Sequence, residues 1–344
     1  MQRLGYVPAL DGVRGVAILL VIAFHFFGVT GGATGVDVFF VLSGFLITTL
    51  LLEERTASGR IDLLAFYKRR ARRLLPALGV VMAVYLVATA AVGDDRIVVA
   101  LAGISYAANI LLASGSSIFR GSGLVHLWSL AEEEQFYLVW PVLLLVVARF
   151  RRALIVILVG YALLSAWRAG LSLHGTPTYR IYDGPDTRAT ALVAGAGLAI
   201  YRHRWGLTVG EGAGQLAACV LLGGVFFGWA VDFWPTVGQP VFELAVVLLI
   251  AAALNETSMA RGLATKPLVW VGERSYSLYL WQVAGGACVY VLGPGVLPTI
   301  TALVLTFACA DLSYRFVETP FRHCRAEEPT LAAAREGNPG VAAA

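Results

Sequence analysis

Apolar runs separated by short polar segments fill the chain up to about residue 317. They lie near residues 13–30, 34–52, 75–93, 97–113, 130–148, 154–170, 189–201, 213–234, 241–255, 275–293 and 298–317. Most have close to the roughly 20 residues that a helix needs to cross the hydrocarbon core of a bilayer. The pattern therefore predicts an all-α, polytopic membrane protein.

Basic loops decide which of these runs cross the membrane. The loop 53–73 is strongly basic, and so are the segments 149–152, 201–204 and 260–266. Basic loops tend to stay on the cytoplasmic side. If the run 97–113 crossed the membrane, the three later basic segments would lie outside, against this rule. We therefore expect about ten transmembrane helices, one re-entrant or interfacial helix near 97–113, and both termini in the cytoplasm.

Composition supports a single membrane domain. Of the 344 residues, 58% are hydrophobic and 14% are charged, a balance that a soluble protein of this size could not bury. We place the membrane domain at residues 1–325 and expect the small, polar segment 326–344 to be a disordered cytoplasmic tail. The net charge of +4 reflects loop orientation and not nucleic-acid binding. The expected location is the cytoplasmic (inner) membrane of a bacterium.

Two ionisable side chains in the first apolar run are the most informative. His25 lies inside the run, and Arg14 stands eleven residues earlier at its beginning. On a helix they share nearly the same face, about 16 Å apart. Ionisable groups at membrane depth are costly and mark substrate or proton pathways. His25 is therefore a candidate general base or, alternatively, a packing residue. Arg14 either binds a phosphate-bearing donor or pairs with Asp11 to anchor the helix.

Asp37, at the start of the second run, is the candidate partner of His25. The two residues lie opposite each other if the intervening turn is centred near Gly31. A carboxylate beside an imidazole fixes its tautomer and raises its basicity, as a general base requires. The alternative is that Asp37 is solvated at a helix start.

A basic cluster follows the second run. It consists of Lys68, Arg69, Arg70, Arg72 and Arg73. Such a cluster suits the phosphates of coenzyme A, and it equally suits anionic lipid headgroups.

Two acidic segments near the outer surface are further candidates. Glu132, Glu133 and Glu134 are consecutive, so their side chains point about 100° apart and at least one faces the interior. It could orient His25 or bind a hydroxyl group, whereas solvated acids at a helix N-terminus are the alternative. Asp186 and Arg188 form an acid and base at an outer mouth, which suits a sugar-like acceptor, although Asp186 could be a helix cap.

Seven stretches together resemble the acyltransferase-3 family of integral membrane O-acyltransferases. They are LDGVRGVAILLVIAFHF, GVDVFFVLSGFLI, FYKRRARRLLPAL, HLWSLAEEEQFYLVWP, DTRATALVAGAGLA, VGERSYSLYLWQ and SYRFVETPFR. They occur in the family's order and cover residues 5 to 325. The resemblance implies about ten spans and an acyltransferase that moves a group other than aminoacyl, with acetyl expected, from cytoplasmic acyl-CoA to a hydroxyl. Acyl-CoA is then a donor substrate, and we expect no permanently bound cofactor and no metal.

The resemblance also assigns roles. Arg14 and His25 match the family's functional pair, and Arg69, Arg70 and Arg73 match its cytoplasmic basic motif. Glu133 and Glu134 match its acidic motif. We accordingly group the candidates as catalytic (His25, Asp37, Glu133, Glu134), donor-binding (Arg14, Lys68, Arg69, Arg70, Arg73) and acceptor-binding (Asp186, Arg188, Trp128).

The chain departs from the family at three positions. It has Gln282 after Trp281 where the family commonly has histidine, Thr190 where it has aspartate, and Glu132 where it has an apolar residue. Gln282 cannot carry a proton. Because the chain ends soon after the last run, we expect no fused soluble esterase-like domain.

Several functions remain open at this point. The leading hypothesis is O-acylation of a cell-envelope glycan or glycolipid. One alternative is acylation of a small metabolite, such as a macrolide, at the cytoplasmic face. Another is a proton-coupled transporter or flippase without acyl chemistry, in which the same ionisable residues relay protons.

Overall fold

The computed structural model describes residues 3–91, 93, 96–119, 121–227 and 234–323, and regular structure there is helical. The first helices are α1 (Pro8–Phe27), α2 (Gly35–Ser58), α3 (Leu63–Ala91), α4 (Ile97–Ile104), α5 (Ala108–Ala113), α6 (Leu127–Val147), α7 (Ala153–Leu173) and α8 (Thr178–Asp183). The remaining helices are α9 (Pro185–Trp205), α10 (Glu211–Phe227), α11 (Gln239–Ala253), α12 (Ser258–Leu263), α13 (Lys266–Glu273), α14 (Ser275–Leu292), α15 (Val296–Ser313) and α16 (Thr319–His323). The predicted tail at 326–344 lies outside the described residues.

Ten of these helices have at least 15 residues within the described part of the chain, and each overlaps one of the ten predicted spans. In the part of the chain that the structure describes, six stretches are long and apolar enough to cross a membrane by length and composition. They are Pro8–Phe27, Thr30–Ser58, Leu63–Ala91, Ala153–Leu173, Trp234–Ala253 and Val296–Phe321. The all-α, multi-pass membrane architecture is therefore confirmed.

The run 97–113 is broken, as a segment that does not span should be. It forms α4 and α5, which have 8 and 6 residues, and Tyr106 between them has a positive φ of 54°. A non-glycine residue in this conformation interrupts a helix. Neither piece is long enough to cross a bilayer.

Glycines let particular helices touch backbone to backbone. A Cβ atom at Gly44 of α2 would overlap the carbonyl of Leu192 on α9, and one at Gly195 of α9 would overlap the carbonyl of Val41 on α2. Small residues allow this close approach between membrane helices. The α2–α9 pair is thus fixed at short range.

Helices α1 and α14 run side by side in the same direction. Arg14 of α1 and Ser275 of α14 line one cavity, whereas a Cβ atom at Gly285 of α14 would meet the Phe26 ring of α1. We name the two ends of the bundle after α1, as the Arg14 end and the His25 end.

The glycine contact predicts the effect of one added methyl group. Gly195→Ala should lower the free energy of unfolding by about 1–3 kcal/mol, because overpacking forces the two backbones apart. Gly160→Ala on α7 is the matched control, since a Cβ atom there meets nothing within 4 Å. Thermal unfolding of both variants in detergent tests this expectation. Equal melting temperatures would contradict it.

Candidate functional site

A cavity of about 480 Å³ opens among α1, α2, α3, α6 and α14. Its lining carries several positive charges at the Arg14 end and many hydroxyl groups. The charged residues are Arg3, Arg14, Glu53, Arg70, Arg73 and Glu133, and the hydroxyl-bearing residues are Ser43, Thr49, Ser129, Tyr137, Ser275, Tyr276 and Tyr279. The combination of charged groups, hydroxyl groups and apolar wall in one cavity makes it the candidate substrate site.

Arg14 lies at the mouth of the cavity with only part of its charge neutralised. Its Nη1 atom is 2.7 Å from the Oδ1 atom of Asp11, one turn earlier on α1. The anchoring pair weighed from the sequence is therefore present. The same guanidinium lines the cavity, so its remaining N–H groups can bind a second anion, because a guanidinium has five donors.

Arg70 is the basic residue that reaches deepest from α3. Its guanidinium carbon lies 3.5 Å above the ring centre of Tyr137, and its Nη2 atom is 3.5 Å from an oxygen of Glu134. A cation above an aromatic face is attracted by the ring quadrupole. These contacts hold Arg70 against α6, inside the cavity wall.

The three consecutive glutamates face three different environments. Glu133 lies in the cavity and accepts hydrogen bonds from the hydroxyls of Ser43 and Tyr137. Glu134 pairs with Arg70, and Glu132 is buried where it accepts from the Asn109 amide at 2.9 Å. The prediction that at least one faces inward is confirmed, since consecutive side chains on a helix diverge by about 100°.

A layer of hydrogen bonds forms the inner wall of the cavity. Ser129 donates to the Tyr279 hydroxyl at 2.6 Å, and Tyr279 donates to the backbone carbonyl of His126. The His126 ring packs edge-on against Tyr279, with centroids 5.3 Å apart. We call Ser129, Tyr279 and His126 the partition.

His25 does not line this cavity, and its predicted partner is wrong. Its ring is exposed at the far end of α1, and its Nδ1 atom lies 2.9 Å from the Val21 carbonyl. A carbonyl can only accept, so in the neutral ring Nδ1 carries the hydrogen and Nε2 keeps its lone pair. The backbone thus fixes the tautomer that we expected Asp37 to fix.

Asp37 instead belongs to a buried ionic network. Its Oδ1 atom is 3.0 Å from Arg188 on α9, and both side chains are 3% exposed. Nearby, Arg168 of α7 lies 3.1 Å from Glu243 of α11, and both are fully buried. Buried charges need partners, and the arginine outcompetes a neutral imidazole for the carboxylate. Thr190 donates to Glu243 at 2.7 Å, so it joins this network in place of the family's aspartate.

The predicted pairing of Asp186 with Arg188 is also wrong. Asp186 accepts two hydrogen bonds from Arg180 at 2.8 and 2.7 Å, and these bonds raise the pKa of Arg180. Arg188 points inward towards Asp37. Trp128 is buried, with its ring 4.8 Å from that of Tyr182. Of the three expected acceptor residues, only Asp186 is half-exposed.

The basic cluster is divided by its position on α3. Arg70 and Arg73 line the cavity, whereas Lys68 and Arg69 do not. Arg69 bonds to Glu54 at 3.0 Å, and Lys68 is exposed. A helical stripe of spacing three places Arg70 and Arg73 on one face, and this spacing could have separated them in advance.

The sequence reading missed the partition. His126 and Ser129 stand in the quoted HLWSLAEEEQF stretch, and Tyr279 stands in SYSLYLWQ. Polar residues within apolar runs are the signal that could have singled them out. Their meeting could not be foreseen, because Ser129 and Tyr279 are 150 positions apart.

The ionic network predicts a contrast between two aspartates. Asp37→Ala should lower the free energy of unfolding by about 3–5 kcal/mol, because it leaves Arg188 buried without its counter-charge. Asp186→Ala breaks a half-exposed pair and should cost at most about 1 kcal/mol. Thermal unfolding in detergent compares them. Similar melting temperatures would refute the structural role of Asp37.

The chain shares extended similarity with membrane O-acetyltransferases. Peptidoglycan O-acetyltransferase OatA of Listeria monocytogenes is 36% identical over 348 residues, which are 92% of this chain and 56% of that protein. O-acetyltransferase OatA of Staphylococcus aureus is 34% identical over 352 residues, which are 92% of this chain and 57% of that protein. This chain thus spans little more than half the length of these relatives. No solved structure matches it.

The profile of the acyltransferase domain matches residues 7–315, the part of the chain that holds the cavity, the partition and the ionic network. The order of the seven stretches and the two relatives agree with this match. The chain belongs to the acyltransferase-3 family.

Proposed function

We propose that the protein transfers an acyl group, with acetyl expected, from cytoplasmic acyl-CoA to a hydroxyl of a cell-envelope glycan. The Arg14 end then faces the cytoplasm, with both termini, in the cytoplasmic membrane of a bacterium. One observation carries the proposal. The cavity is cationic at the Arg14 end and closed by hydroxyl groups at its inner wall, which suits a ligand with an anionic head and a neutral, hydrogen-bonding arm.

The donor assignment rests on the charges at the cavity mouth. Arg14, Arg70 and Arg73 reach the same space from α1 and α3. Arginine binds phosphate through two parallel hydrogen bonds, which makes it the preferred residue for such groups. Phosphates held there leave the uncharged pantetheine arm to extend along the apolar and hydroxyl-lined part of the cavity towards the partition.

The acceptor assignment rests on the other side of the partition. His25 presents an unprotonated Nε2 atom at the exposed end of α1. The relative from Listeria monocytogenes is named as acting on peptidoglycan, and a glycan outside the membrane would approach from the His25 end. On α14, Tyr279 of the partition lies between Ser275, which lines the cavity, and Gly285, whose added Cβ atom would meet Phe26 next to His25.

The chemistry follows from these placements. The acceptor hydroxyl gives its proton to His25 Nε2 while its oxygen attacks the thioester carbon. The carbon–sulfur bond breaks, and the thiolate takes up a proton and leaves as coenzyme A. For the two substrates to meet, the Ser129–Tyr279–His126 contacts must open. The separation of about 16 Å between Arg14 and His25 is the distance that the donor arm has to cover.

His25→Ala should reduce acetyl transfer at least about 100-fold, because general base catalysis contributes that much or more. The assay uses proteoliposomes with labelled acetyl-CoA and an envelope glycan as acceptor. His174→Ala is the matched control, since His174 is exposed and lies outside the cavity. Undiminished transfer by a folded His25→Ala protein would refute the base role.

Arg73→Ala should raise the KM for acetyl-CoA by roughly 10-fold or more, since a charge-assisted hydrogen bond contributes about 1.5–3 kcal/mol. Arg72→Ala removes the same charge from the neighbouring exposed position and should leave the KM unchanged. Steady-state kinetics at fixed acceptor concentration distinguish the two. Equal effects would mean that the cluster serves lipid headgroups or topology.

A further inference from the structure

A second cavity of about 630 Å³ adjoins the first at the Arg14 end. It lies between the end of α2 and the end of α9, and its lining includes Arg202, His203 and Arg204. It shares Arg3 and Glu53 with the first cavity. The two spaces are therefore neighbours, separated by the N-terminal segment that Glu53 holds through the Leu4 backbone N–H at 2.7 Å.

The second cavity carries an excess of positive charge. Arg202 lies 3.8 Å from Glu53, the acidic residue of the lining among the described residues. Arg204 donates to the backbone carbonyls of Phe150 at 2.9 Å and of Arg151. Carbonyls are neutral acceptors, so they orient the Arg204 guanidinium without cancelling its charge. With Arg3 and His203 also present, the space favours a multiply charged anion.

We propose that this second cavity binds the 3′-phosphorylated adenosine of the acyl-CoA donor, with Arg202 at its 3′-phosphate. This inference rests on the function proposed above and names the residues that hold the donor's far end. The diphosphate then passes Arg3 and Glu53 into the first cavity, where the arginines described above bind it and the pantetheine arm continues towards the partition. In the sequence analysis, membrane topology was the only explanation for the basic segment 201–204. The proposal gives this segment a role in ligand binding.

The proposal predicts that substitutions at Glu53 and at Arg202 change the affinity for the donor in opposite directions. Its carboxylate competes with a phosphate for the Arg202 guanidinium, because both anions bind the same N–H groups. Removing the carboxylate charge should therefore strengthen donor binding, whereas removing the arginine should weaken it. The Leu4 contact survives Glu53→Gln, since an amide oxygen also accepts a backbone hydrogen bond.

An anionic lipid headgroup presents the same phosphate chemistry to these arginines. The choice of donor substrate distinguishes binding of coenzyme A from binding of a lipid headgroup. Acetyl-CoA and acetyl-dephospho-CoA differ only in the 3′-phosphate, so only a residue that contacts this group responds to the difference. A residue that binds lipid, or that stabilises the fold, affects both donors equally.

The experiment uses the full chain in phosphatidylcholine proteoliposomes, with acetyl transfer and equilibrium binding of CoA and dephospho-CoA as readouts. The unmodified protein should favour the 3′-phosphorylated ligand by roughly 10- to 100-fold, the factor of one or two charge-assisted hydrogen bonds. In Arg202→Ala this preference should fall to about 1- to 3-fold.

Two variants complete the design. Arg149→Ala removes one positive charge from an exposed position at the same end of the bundle and should keep the full preference. Glu53→Gln should bind CoA roughly 2- to 5-fold more tightly, by the size of a partly exposed ion pair, with dephospho-CoA unchanged. This second test holds even where Arg202→Ala folds poorly.

Equal losses with both ligands in Arg202→Ala, or a Glu53→Gln variant that binds CoA no better, would overturn the proposal. An unmodified protein with no preference for the 3′-phosphate would do the same. Failure of the broader function has a different signature. In that case the unmodified, folded protein would transfer acetyl from neither donor, while the binding readout would still report on the second cavity.

Discussion

The buried pairs Asp37–Arg188 and Arg168–Glu243 are the constraint on which the rest of the bundle depends. They join α2 to α9 and α7 to α11 inside the protein, at separations of 3.0 and 3.1 Å. An unpaired charge at such depth would cost several kcal/mol, so these four helices cannot slide or rotate independently. The glycine contact between α2 and α9 acts on the same helices. Together they hold α2, one of the helices that line the cavity, in a fixed position.

This constraint also decides which charges remain for chemistry. Because Arg188 engages Asp37, the carboxylate is withdrawn from His25, and a backbone carbonyl orients the imidazole instead. Glu132 is likewise taken up by Asn109. The arginines that line the first cavity, in contrast, also face space that a ligand can fill, although Arg14 contacts Asp11 and Arg70 contacts Glu134. Charge in this protein thus has two separate uses, with almost fully buried ion pairs in the scaffold and cavity-lining groups at the Arg14 end.

The sequence was sufficient for features that depend on local period and composition. Helix number, the broken segment at 97–113 and the inward face of the Glu132–Glu134 run all follow from hydropathy and helical geometry. It was insufficient for contacts between distant segments. Asp37 was matched with its neighbour in a hairpin, whereas its partner is Arg188 on α9. Hydropathy does not encode which helix faces lie opposite each other, and the partition was missed for the same reason.

The partition is held together by polar contacts of a different kind, between neutral groups. Ser129, Tyr279 and His126 are joined by hydrogen bonds between a hydroxyl pair and one carbonyl, and none of these bonds involves a full charge. Neutral hydrogen bonds contribute about 1 kcal/mol each, far less than a buried ion pair costs to break. The boundary between the cavity and the His25 end is therefore built from contacts that are weak enough to open. The buried ion pairs are much harder to break, so the helices that they join stay in place. This difference in strength allows a donor and an acceptor to meet without unfolding the helices that hold them.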